Sequence, residues 1–263
     1  MILVIAVLVL LTIAIAVLAL APRIAEQRLV FDVRADRPAA FGYKMAWIAV
    51  RTADTAAVVA ALGLVGPARA NWNSGIGTVY DDSLGERRIF VSPPVEGWTF
   101  VVGLALPTPM SRAFVDKWTP MMDGLADRFG DVQYYFSYPL IDFYAWARYA
   151  EGRPTRVFAT SDAGVVTSRG RPTREERGLG LKLFELRGVK ERKGDAGGEI
   201  ILSPTEDHVM TLASKWSLDP TKLGPASGPE ATGLVAEAPP HWRPERARER
   251  SRERTGDSAR KTA

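Results

Sequence analysis

The chain has 263 residues, with 34 Lys and Arg against 30 Asp and Glu, and no cysteine. Without cysteine there are no disulfides, thiolate nucleophiles or cysteine-held zinc and iron–sulfur sites. The net charge of +4 gives the body no footprint of a nucleic-acid surface, because residues 241–263 alone hold 8 basic and 4 acidic residues, the whole of the excess.

Residues 1–21 carry no charged side chain, and Thr12 is their one polar side chain. As a helix they span roughly 31 Å, the thickness of a bilayer's hydrocarbon core, so residues 1–22 are predicted to form one transmembrane helix with the lipid bilayer as its partner. The rival reading is a cleaved signal ending at Ala19-Leu20-Ala21. It lacks a leading Lys or Arg, its run is too long, and Pro22 would follow the cut directly. Arg23, Arg28, Arg34 and Arg37 follow the run, so the positive-inside rule places the body in the cytoplasm at the inner (plasma) membrane.

Residues 23–40 read as a polar linker. In 41–50 (FGYKMAWIAV) both alternating faces are apolar, which predicts a strand well inside a sheet. Asp54 is placed to cap a short helix that ends at Gly63 or Gly66. Residues 67–77 (PARANWNSGIG) read as a loop, followed by short strands near 77–80 and 87–92, and residues 98–106 (WTFVVGLAL) as a central strand. From 111 to 129 the three- and four-residue spacing of Phe114, Trp118, Met121, Met122, Leu125 and Phe129 predicts an amphipathic helix, kinked or restarted at Pro120. Strand character resumes over 132–138, then in a hairpin turning at Glu151-Gly152 and in another after 162–164.

Thr173 to Glu176 reads as a capping box, 187–199 as a solvated loop, and Ser203-Pro204-Thr205-Glu206 as the start of a helix lined by Val209, Leu212, Ala213 and Trp216. The domain is expected to close over 216–223, leaving 224–263 as a disordered charged tail. The fold class is therefore α+β, a mostly antiparallel sheet with three or four short helices, preceded by the transmembrane helix. The soluble part covers 41–223, with a candidate division into two αβββ halves near 41–108 and 109–223.

Chemistry is sparse. There is no GxSxG, SxxK, HExxH or P-loop, and Gly75-Ile76-Gly77 and Gly178-Leu179-Gly180 lack the context of a dinucleotide site. His208, beside Glu206 and Asp207, is the one histidine placed to act as a general base, and Asp142 is a candidate acid; no metal or cofactor is expected. A candidate partner-binding face gathers Tyr134, Tyr144, Trp146 and Arg148, with Trp72 as a neighbour, since Tyr, Trp and Arg carry binding hot spots. The leading expectation is a bacterial-type single-pass membrane protein whose domain binds a protein partner, as an immunity or regulatory factor would. The alternatives are a membrane-tethered hydrolase using carboxylates and His208, and a structural component of an envelope assembly.

Overall fold

A computed structural model describes residues 30–110, 113–181 and 204–245. The expected transmembrane helix over 1–22, the loop over 187–199, Ser203 and residues 246–263 of the tail lie outside them. Among the described residues no helix is long and apolar enough to cross a membrane. The chain divides after Phe31, and the architecture below is that of the second unit.

β1 (Met45–Val50) is buried at all 6 positions, as its two apolar faces require, and it occupies the middle of a nine-stranded sheet. The other strands are β2 (Val65–Asn71), β3 (Arg88–Val91), β4 (Thr99–Val102), β5 (Val132–Tyr138), β6 (Phe143–Ala150), β7 (Arg153–Ser161), β8 (Gly164–Arg169) and β9 (Thr232–Glu237). Their order is β2-β9-β3-β4-β1-β5-β6-β7-β8, and every pairing is antiparallel.

Helices cover both faces. On one side α1 (Thr55–Leu62) and α3 (Trp118–Phe129) bury Val58, Leu62, Trp118, Met122 and Leu125 against Ile48, Val50, Val132, Tyr134 and Tyr149. On the other, α2 (Trp72–Tyr80) sets Trp72 against Phe90, while α5 (Glu206–Trp216) sets Trp216 against Tyr135, which itself stacks on Trp47 at 5.0 Å. A single turn, α4 (Arg174–Arg177), completes the set. Several start and stop signals act as read: Asp54 accepts from Ala57 N, Gly63 ends α1 in the left-handed conformation, and Thr173 with Glu176 forms a capping box. α5 differs, starting from Thr205, with His208 supplying the return bond of the box.

Several expectations need correction. Residues 67–77 are not a loop, because they supply most of β2 and the start of α2, and 77–80 is the end of that helix rather than a strand. The Asn71 side chain accepts from Ser74 N, and the glycines that suggested a loop allow close packing. A Cβ on Gly75 would lie 2.2 Å from the Phe90 ring, so packing outweighs the poor helix propensity of glycine. The first half thus holds two helices among its strands, not one helix followed by three strands.

The linker and the tail are also drawn in. Asp36 accepts from Trp72 N at 2.6 Å and Asn73 N at 2.9 Å, Asp32 O accepts from Asn71 N, and Asp36 bridges Ala231. Residues 224–245 are not a free tail, since β9 inserts between β2 and β3 and buries Val235 and Ala236. Its short TGLVA run satisfies two neighbouring strands at once, which low local hydrophobicity did not reveal. Finally, α3 starts at Trp118 rather than 111, with Asp116 accepting from Thr119 N. Pro120 then sits in the first turn, where a missing N–H costs nothing.

Candidate functional site

Most of the expected partner-binding face is core. Trp72, Tyr134, Trp146 and Tyr144 are buried, and they do not share a side: Tyr134 packs beneath Trp118 of α3, while Trp146 meets Phe158 on the opposite face. Alternation could not distinguish this arrangement from an exposed face, because both sides of the sheet are covered. Burial holds the Tyr134 hydroxyl well above its usual pKa. Arg148 is half-buried, its guanidinium 5.9 Å from the Trp216 ring centroid.

Trp146 belongs to a polar network unsuspected from the sequence. Glu176 Oε1 accepts from Arg156 Nε at 2.7 Å and from Trp146 Nε1 at 2.8 Å, while its Oε2 accepts from Thr173 N. Both charged side chains are fully buried. Arg156 Nη1 also donates to Val157 O and to Ser168 Oγ. The network fastens α4 and the β7–β8 hairpin to the sheet.

The two catalytic candidates, Asp142 and His208, sit on different elements and form no reactive pair among the described residues. Asp142 is exposed, in the left-handed conformation after the turn Pro139–Ile141. Burial raises the Tyr144 hydroxyl's pKa, and the charges of Asp142 and Glu206 push the same way. Glu206 Oε1 accepts from Ser137 Oγ at 2.7 Å and from Lys44 N at 2.9 Å. His208 Nδ1 accepts from Thr205 N at 3.0 Å, which occupies one ring nitrogen in capping. Partial burial lowers the His208 pKa against the opposing charge of Asp207. No hydrogen bond joins His208 to Asp142, and no three His, Asp or Glu side chains are grouped to hold a metal, among the described residues.

The more informative pattern is where apolar side chains remain outside. Of the nine large hydrophobic residues exposed among those described, Val30 and Val33 precede the sheet; the other seven are Tyr43, Val65, Tyr80, Leu104, Met110, Leu140 and Ile141. Strand register puts these seven at one end of the sheet. Val65 pairs with Glu237 and Glu237 with Arg88; Gly103 N donates to Ala46 O; Met45 pairs with Ser137; and Leu140 and Ile141 cap the β5–β6 turn. Tyr80 reaches the same end through its hydroxyl, which donates to Tyr43 O at 2.8 Å. Leu104 continues the alternation of 98–106 in sequence, but the strand stops at Val102. A Cβ on Gly103 would lie 2.8 Å from Arg88 O, so the chain turns there and Leu104 is left 38% exposed.

Part of this rim is concave. A groove of about 300 Å³ lies among Val65, Leu104, Leu106, Met110, Trp242 and the prolines 239, 240 and 244, with Arg87 and Arg243 at its border. It is mostly apolar and open, with Glu86, Lys117 and Glu237 also in its lining. Compared with known proteins, the chain matches no family model, no curated protein and no solved structure. The fold and rim define its class no further than an α+β unit with one apolar end.

Proposed function

We propose that this protein is a single-pass, membrane-anchored binding protein, held at the inner membrane through residues 1–22 with its α+β unit in the cytoplasm, and that the rim docks a protein partner. An immunity or regulatory role fits such a tethered binding unit. The observation that carries the reading is the collection of seven of nine exposed large hydrophobics at one end of the strands, around a groove. Apolar area gathered in this way marks interaction sites far more often than apolar side chains scattered singly. Asp32, at the start of the unit, lies at the other end of the strands, where its carbonyl accepts from Asn71 N.

A photoreactive amino acid placed at Leu104, Met110 or Ile141 of the full chain, in its native membrane, tests the reading. Adducts of defined mass are expected at these positions and not at Asn73, an exposed position at the opposite end. Equal labelling at Asn73, or none at the rim, would remove the docking reading. A reporter active on one side of the membrane, fused after Ala263, tests the orientation separately.

A further inference from the structure

We propose that the first turn of α5 is a pH-operated clasp: protonation of His208 opens it and lets go of the turn at residues 42–44, which carries Tyr43 onto the rim. The clasp is part of the fold and does not depend on what the rim docks.

The chain builds the same motif twice. In α4 the capping box is closed by a glutamate, the residue type this box ordinarily uses, with Glu176 Oε2 accepting from Thr173 N at 2.7 Å. In α5 the third helical position holds His208 instead, whose Nδ1 accepts from Thr205 N at 3.0 Å and lies 2.9 Å from Thr205 Oγ1. Nδ1 accepts only while it carries no proton. A proton there turns the acceptor into a donor facing the Thr205 N–H, and it sets a cation in the first turn of a helix, where the helix dipole opposes it. Histidine is the one side chain whose ordinary pKa brings this change near neutrality.

What that first turn holds is specific. Glu206 accepts from Lys44 N at 2.9 Å and from Ser137 Oγ at 2.7 Å, and Asp207 accepts from the Tyr43 hydroxyl at 3.4 Å. Lys44 stands in the left-handed region at φ 51°, a conformation that a residue other than glycine keeps only where its neighbours fix it. The remainder of the 42–44 turn is fixed from α2: Gly42 N donates to the Tyr80 hydroxyl at 3.0 Å, which donates to Tyr43 O at 2.8 Å. Losing the box therefore frees Lys44 and the Tyr43 side chain while the Tyr80 bonds stay.

The titratable and charged groups around the clasp are Glu206 and Asp207 on α5, Tyr43 and Lys44 on the turn, Asp142 and Tyr144 at the start of β6, and Asp219 after α5. Burial lowers the His208 pKa and the charge of Asp207 raises it, burial being the larger. The box is thus closed above the ordinary histidine value of about 6.5 and opens as pH falls below it.

Amide hydrogen exchange of the detergent-solubilised full chain, read at single residues and corrected for the intrinsic effect of pH, tests the clasp. Between about pH 7.5 and about pH 5 the Lys44 N–H is expected to lose protection about fivefold, the factor a lost cap is worth, while the Gly42 N–H keeps its own. His208→Gln and His208→Glu each retain an acceptor at the third position, and either should hold Lys44 equally at both pH values; one suffices if the other fails to fold. The nitrogen shifts of the His208 ring should show the Nε2–H tautomer at the higher pH. Lys44 protection that stays constant in the unaltered chain, that falls as much in the variants, or that falls together with Gly42 overturns the clasp, and so does an Nδ1–H tautomer.

Discussion

The two ends of the nine-stranded sheet are finished in opposite ways. At the Asn71 end the chain satisfies itself: Asp36 and Asn71 cap α2, Arg51 lies 5.1 Å over the Trp98 ring, Thr99 Oγ1 donates to Thr52 O, and Arg169 donates to Thr119. At the Met45 end apolar side chains are carried out to solvent, although β1 and β4 beneath them are buried along their whole length. The same strands, helices and propensities serve both, so the difference is not a limit on what this sequence can bury. An unfinished end beside a finished one is what a surface looks like when its covering arrives from outside.

Substitutions can break or sharpen that contrast. The largest effect is expected from Glu176→Ala, which leaves the buried Arg156 cation without its carboxylate and the Trp146 N–H without an acceptor. It should destabilise by about 3–5 kcal/mol, read as a lower guanidinium midpoint of the detergent-solubilised chain by tryptophan fluorescence. Asp36→Ala at the finished end removes the acceptor of two α2 N–H groups and should cost about 1 kcal/mol in the same measurement. A loss near zero would mean that the entry segment is not part of that end.

At the open end two smaller effects follow. The folded His208 pKa is lowered by burial, so its contribution to stability is present above the unfolded histidine pKa, about 6.5, and falls away as pH drops through the folded value. His208→Ala should therefore flatten the loss of stability on acidification below about pH 6.5. An unchanged acid limb would show that His208 is not coupled to folding. Leu104→Ser and Ile141→Ser should each alter stability by no more than about 0.5 kcal/mol, while abolishing rim adducts. A loss of several kcal/mol would show that these side chains finish the rim rather than leave it open.

Most strands and helix termini, though not β2, were legible because each rests on neighbours in sequence: the apolar faces of β1, the Asp54 cap, the Gly63 stop, the turn at Glu151-Gly152. α2 was not, because its glycines are explained only by Phe90 across the contact. β9 was not, because six modest residues become a strand only between two waiting partners. The candidate site failed for a related reason. Aromatic strand residues such as Trp146 look alike in sequence whether their face meets solvent or a helix. Leu104, which is exposed, looked like an ordinary member of a strand.

β9 also has a consequence for the order of events in time. β2 and α2 emerge from the ribosome early, yet β2 reaches the sheet only through β9, with Arg69 bonded to Thr232 across 163 positions. Until almost the whole chain has been made, one flank of the sheet has no place to dock, and contacts of such long range form slowly. A nascent chain cut at Leu223 would keep its central strand but lose its last seam, so the carboxy-terminal stretch acts as the closing stitch of a fold begun near its other end.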